Sequence, residues 1–162
     1  MSVEKIKAKI QTWPQIRETT RKWRAERQKI VFTNGCFDLL HFGHVHYLAG
    51  ARALGDKLIV GLNSSESVAR LKGPGRPLND DQTRLFVLAA FEFVDAVVLF
   101  ESDTPLELIE LVLPDILVKG GDYRPDEIVG ADVVARHGGE VRVLPFQPGY
   151  SSTSLLEKMK GA

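Results

Sequence analysis

Cysteine is almost missing from this chain: Cys36 stands alone among 162 residues. That excludes an internal disulfide and a cysteine-built metal site, and it leaves Cys36 as a small apolar filler. No apolar run approaches the roughly 18 residues that a membrane-crossing helix needs. The opening Met-Ser-Val-Glu-Lys-Ile-Lys has no apolar core of a signal peptide, so a cytoplasmic protein is expected. An excess of either charge is missing too. With 21 basic and 21 acidic side chains the formal net charge is zero, and neither a nucleic-acid nor a membrane partner is expected. The chain also lacks a Gly-x-Gly-x-x-Gly after its first apolar run and has no Gly-x-x-x-x-Gly-Lys-Ser/Thr, which speaks against a dehydrogenase or a P-loop kinase.

What the chain does have is alternation. Apolar runs at 30–32, 57–62, 96–100, 116–119 and 140–144 read as five buried strands. Between them, helical periodicity is expected over 45–54, 66–71, 80–93 (capped by Asn79), 105–113 and 130–137, with a last helix beginning near Ser152. Strands alternating with helices require right-handed crossovers, so the expected fold class is α/β, a Rossmann-like doubly wound five-stranded parallel sheet. At 162 residues the chain fits one such domain, residues 29–162, preceded by an N-terminal helical arm, residues 1–28. The arm divides into helices 2–9 and 15–28. Its five cations between Arg17 and Arg27 are interleaved with Glu18 and Glu26 and read as a solvated face, while Trp13, Ile16 and Trp23 would dock it on the core.

Polar residues gather where the strands end, the edge at which open parallel sheets bind ligands. After strand one come Asn34, Gly35, Asp38, His41, Gly43 and His44. Asn34 and Gly35 would break the strand, and the helix starting near Gly43 would offer free N–H groups and a positive dipole end to phosphate. Two imidazoles three residues apart can face one bound group; capping of the helix is the other use open to them. His46, between Val45 and Tyr47, reads as an ordinary helix position. Asn63-Ser64-Ser65 follow strand two, either as ligand contacts or as the cap of the next helix. The loop 70–78 holds two Gly, two Pro and the cations Arg70, Lys72 and Arg76, which suits closure over phosphates. Arg84 lies one position from an apolar helix face, so it is either a half-buried ion-pair partner or an anion clamp. Lys119, Gly120, Gly121, Asp122 and Tyr123 end strand four. Ser151, Ser152 and Thr153 open the last helix, as a second phosphate site or as a cap with Glu157 nearby.

His41-Phe42-Gly43-His44 resembles the His-x-Gly-His signature of the cytidylyltransferase-like nucleotidyltransferases. With Thr33-Asn34-Gly35-Cys36-Phe37-Asp38, Arg70-Leu71-Lys72-Gly73, Leu117-Val118-Lys119-Gly120-Gly121-Asp122-Tyr123 and Gly149-Tyr150-Ser151-Ser152-Thr153, the likeness sharpens to the adenylyltransferases of ADP-heptose synthesis, in their stand-alone form. That resemblance implies transfer of the adenylyl group of ATP to heptose 1-phosphate, with Mg²⁺ accompanying the triphosphate, small-molecule partners and a homodimer. It also implies that His41 and His44 contact phosphates, that Lys72 and Arg84 add positive charge, and that Ser151, Ser152 and Thr153 hold the leaving end. Thr33, Asn34, Gly35, Phe37, Asp38, Gly43, Lys119, Gly120, Gly121 and Asp122 would complete the nucleotide site. Two departures stand out. Ser65 occupies a position where the family commonly has Asp, and Phe146-Gln147-Pro148-Gly149 replaces the Arg-Thr-Glu-Gly of glycerol-3-phosphate cytidylyltransferases, the second reading of the chain. A third is a nucleotide-binding sensor without chemistry.

Overall fold

The computed structural model describes residues 2–121 and 123–160; Asp122, one of the residues expected at the site, lies outside them. Five strands form one parallel sheet: β1 (Ile30–Gly35), β2 (Lys57–Asn63), β3 (Ala96–Phe100), β4 (Ile116–Gly120) and β5 (Glu140–Leu144), in the order β3-β2-β1-β4-β5. The order reverses direction between β1 and β4. There the crossovers diverge and open a crevice above the carboxyl ends of the strands. β1 is longer than its apolar core suggests, because Asn34 and Gly35 continue in register beside Gly61 and Leu62 of β2 instead of breaking away. A backbone paired on a parallel ladder does not need apolar side chains at its last two positions.

Helices cover both faces, as near-continuous Val, Ile and Leu in the strands require. On one side α3 (Phe42–Arg52) and α5 (Asp81–Ala90) bury Leu48, Ala51, Leu88 and Ala89 against Val31, Leu58, Val60 and Val118. On the other, α6 (Leu106–Val112) and α7 (Ala131–Arg136) bury Leu108, Ile109 and Val134 against Phe32, Ile59, Val98 and Leu117. α4 (Ser65–Lys72) follows β2, and α8 (Ser152–Lys160) closes the described chain. The cap of α5 is Asp80, whose carboxylate accepts the Thr83 N–H at 2.7 Å, not Asn79. Asn79 is drawn elsewhere, to Asp38.

The arm, α1 (Val3–Lys9) and α2 (Trp13–Ala25), is built into the same core. Trp13 and Pro14 belong to the first turn of α2, where a missing proline N–H costs nothing, and Thr12 with Gln15 forms the capping box. Ile16 is fully buried in the cluster of α6 and α7. Ile10 bridges to Val97 and the Gln11 N–H donates to the Val97 carbonyl at 2.9 Å, so the arm covers the open edge of β3. The Trp13 indole N–H donates to the Leu99 carbonyl at 2.9 Å. Removal of this half-buried ring by Trp13→Ala is expected to cost about 2–3 kcal/mol, below the range for fully buried aromatics. Urea unfolding followed by circular dichroism measures it; an unchanged midpoint would mean the arm is not part of the cooperative unit.

Candidate active site

A cavity of about 640 Å³ opens at the carboxyl edge of the sheet. Each of its walls is a segment that follows a strand, which is why residues far apart in sequence meet there. The first wall is the turn between β1 and α3, and His41, His44 and Tyr47 rise behind it. His41 is the N-cap of α3, and its Nδ1 accepts the Gly43 N–H at 3.1 Å, which leaves the ring proton of the neutral imidazole on Nε2. The two imidazoles lie with centroids 3.9 Å apart, tilted by 33°. Both histidine uses open in the sequence are therefore realised: His41 caps the helix, and His44, stacked on it, lines the cavity. Burial, with the His41 charge beside it, pushes His44 down to about 4, and burial lowers His41 as well. The pair is neutral at physiological pH. His44 Nδ1 is buried and has no hydrogen-bond partner.

Cations reach the cavity from two sides. Lys72 ends α4 and Lys119 ends β4; both line the cavity. Lys119 lies 5.8 Å from the centre of the Tyr123 ring, and burial lowers its pKa. Ser152 and Thr153 present the first turn of α8, whose leading N–H groups have no intrahelical acceptor. The Ser152 hydroxyl donates to the Leu39 carbonyl at 3.1 Å, which fixes this helix end against the β1–α3 turn. Ser151 caps the helix by accepting the Ser154 N–H at 3.0 Å, so here too capping and a cavity-facing terminus coexist.

Other expected site residues serve the frame. The buried Asp38 carboxylate accepts from Arg76 Nε at 3.0 Å, Leu78 N–H at 2.7 Å and Asn79 N–H at 2.9 Å. Burial raises its pKa, but these donors outweigh burial and the net shift is downward. Asp38 thereby ties the stem of the loop after α4 to the turn after β1, with its acceptor sites occupied. Arg84, 1% exposed, does not line the cavity. One of its terminal nitrogens donates to the carbonyls of Cys36 and Asn63, each at 2.8 Å, and the other to Asp81 at 2.6 Å. It joins the ends of β1 and β2 beneath the cavity floor. The Thr33 hydroxyl bonds to the Tyr47 hydroxyl at 2.7 Å, and that hydroxyl donates on to the Val118 carbonyl at 3.3 Å. Asn34, Gly35, Phe37 and Gly120 line the cavity, while Gly43 and Gly121 lie just outside it.

Asn63 and Arg76, both open as ligand contacts in the sequence, line the cavity, and the structure adds Asp103, Thr104, Glu127 and Phe146. Asp103 and Thr104 follow β3 and Phe146 follows β5, so the strand-end rule would have found them had it been carried to every strand. Cys36 also lines the cavity; burial raises its thiol pKa, against the pull of Lys72, Arg84 and Arg76. Among the described residues, no group of three or more His, Cys, Asp or Glu side chains is placed to hold a metal ion, and no helix is long and apolar enough to cross a membrane.

A doubly wound sheet with a crevice at the switch point of its strand order, lined by histidine, lysines and a helix N-terminus, has the architecture of a mononucleotide-binding fold. Residues 32–158 match the model of the cytidylyltransferase-like family, and the chain belongs to that family of nucleotidyltransferases. It is 54% identical over 151 residues to the Bifunctional protein HldE of Magnetococcus marinus, covering 93% of this chain and 31% of that protein. To the HldE of Vibrio cholerae it is 55% identical over 144 residues, covering 89% and 30%. The chain thus spans about a third of the length of these curated relatives. Among solved structures it resembles the lipopolysaccharide core biosynthesis protein from Thermoplasma volcanium, with a TM-score of 0.59, 28% identity, and coverage of 74% of this chain and 97% of that one. A pantoate-beta-alanine ligase from Francisella tularensis shares the fold, with a TM-score of 0.60 at 16% identity over 93% of this chain and 76% of that one.

Proposed function

We propose that this domain transfers the adenylyl group of ATP to D-glycero-β-D-manno-heptose 1-phosphate, giving ADP-heptose and pyrophosphate. The observation that carries the reading is the convergence of His44, Lys72, Lys119 and the α8 N-terminus on one cavity. Identity above 50% to HldE over nearly the whole chain supports it, as does likeness to a lipopolysaccharide core biosynthesis protein. An oxygen of the sugar phosphate attacks the α-phosphorus; that O–P bond forms as the bond from the α-phosphorus to the bridging α–β oxygen breaks, and pyrophosphate leaves with the electron pair. No covalent enzyme intermediate is required. The work of the protein is to hold donors and positive charge where negative charge builds, on the equatorial oxygens and the departing pyrophosphate. His44 and Lys72 would contact the triphosphate, with His41 setting the position of His44, and Ser152 and Thr153 would hold the leaving end. Mg²⁺ would be carried mainly by phosphate oxygens and water, which suits a cavity whose best-placed carboxylate, Asp38, is already engaged. The homodimer implied by the family resemblance belongs to the same proposal, and sedimentation equilibrium reads it.

Heptose 1-phosphate labelled with ¹⁸O in its non-bridging phosphate oxygens tests the bond assignment. Label retained wholly in ADP-heptose, one atom of it in the P–O–P bridge, is the expected result. Label in the released pyrophosphate would mean that another bond is cleaved.

A further inference from the structure

Phe146 is out of place for a phenylalanine: it is 66% exposed, although it lines the cavity, two residues past the end of β5. Its ring nonetheless has a seat at the end of β4. A Cβ at Gly120 would stand 2.7 Å from its Cε1, and one at Gly121, where φ is +109°, would stand 2.9 Å from its Cε2. The two glycines at the end of β4 lack side chains where the ring lies, so the tip of the Phe146 ring comes up against their backbone. On the other flank of Gly120 the Tyr47 ring comes within 3.1 Å of the same position, and Tyr47 is buried. An aromatic ring lodged by its tip against two glycines and otherwise mostly exposed, in the lining of the cavity, is a surface for a second flat group. The lysines, His44 and α8 supply the phosphate end of the cavity; the β4–β5 edge supplies this apolar plate.

We propose that Phe146 is the stacking platform for the nucleotide base and a determinant of purine over pyrimidine choice, an inference that rests on the nucleotidyl-transfer reading above. Stacking scales with overlapped area, so adenine gains more from the ring than cytosine does. Gly120 and Gly121 then serve the nucleotide through Phe146, by leaving room for it.

Equilibrium binding of ATP, CTP and tripolyphosphate, each with Mg²⁺, to wild type, Phe146→Ala and Phe146→Tyr provides the test. Phe146→Ala should weaken ATP about tenfold or more, CTP less, and tripolyphosphate not at all, while Phe146→Tyr restores ATP binding. Because the side chain is mostly exposed, the alanine variant should keep the wild-type melting temperature. In Phe146→Trp, the added emission should be quenched by ATP and not by tripolyphosphate. Equal losses for ATP and tripolyphosphate, or unchanged ATP binding with an unquenched indole, overturn the platform while leaving the transfer reading intact. Wild-type protein that binds none of the nucleotides sinks the transfer reading and this inference together.

Discussion

His44→Ala should lower kcat by roughly a hundred- to a thousandfold, the loss typical of one preorganised donor at a centre of developing charge. KM for ATP should change much less, because the interaction matters most as charge builds in the transition state. The fold should survive, since His44 is only partly buried and its Nδ1 holds no hydrogen bond within the protein. The imidazole also makes the protein sensitive to acid in a defined direction. Its folded pKa of about 4 lies below the ordinary 6.5. Above pH 6.5 both folded and unfolded states hold it neutral. As pH falls from 6.5 towards 4 the unfolded chain takes up the proton first, so stability is lost across that window and no further below it. After allowance for the ring's partial exposure the loss is about 2 kcal/mol. His44→Ala should remove that share of the slope, which urea titrations at pH 7 and pH 5 read. Phosphate beside His44 favours its charged form, so ATP binding should take up protons in wild type, and part of that uptake should vanish in the variant. Unchanged kcat in His44→Ala would remove His44 from the chemistry.

Arg84→Met should cost about 3 kcal/mol of stability, because the buried carbonyls of Cys36 and Asn63 lose their donor, while Asp81, 35% exposed, keeps access to water. For a domain of this size that is a fall in Tm on the order of 10 °C. The carbonyls of Cys36 and Asn63 would lose their shared donor and Asp81 its cation. Arg84→Lys should recover only part, because one ammonium cannot span two carbonyls and a carboxylate as a planar guanidinium does. Activity should fall too, since Cys36 and Asn63 are cavity wall. An anion clamp behaves differently: Arg84→Met would then leave Tm unchanged and raise KM for ATP. Calorimetry beside initial-rate kinetics separates the two outcomes.

Arg84 also shows where sequence reasoning stops. Its place one residue from an apolar helix face identifies a cation near the core, and its pairing with Asp81 is three residues away on the same helix. The carbonyls it holds belong to elements 48 and 21 residues distant, and backbone acceptors carry no sequence signature. Asp38 is similar. A carboxylate after a strand end points to a ligand, but the two amide donors that occupy it come from residues 40 and 41 positions downstream. The parallel doubly wound sheet, by contrast, follows from alternation and crossover handedness, whereas its order β3-β2-β1-β4-β5 does not, since more than one doubly wound order satisfies both. Lys119 was legible as a polar residue at a strand end, Lys72 as a cation in a glycine- and proline-rich loop, and His44, Ser152 and Thr153 as polar residues in the first turns of helices that follow strands. Phe146 was within reach of the strand-end rule by its place after β5, but the rule looks for polar residues, and only the structure shows the ring beside Gly120 and Gly121 in the cavity.

The most direct measurement is pyrophosphate release by the purified protein with Mg²⁺, crossing ATP and CTP against heptose 1-phosphate and glycerol 3-phosphate. Turnover confined to ATP with heptose 1-phosphate is the expected result. Turnover with CTP and glycerol 3-phosphate, and none with ATP and heptose 1-phosphate, would contradict it.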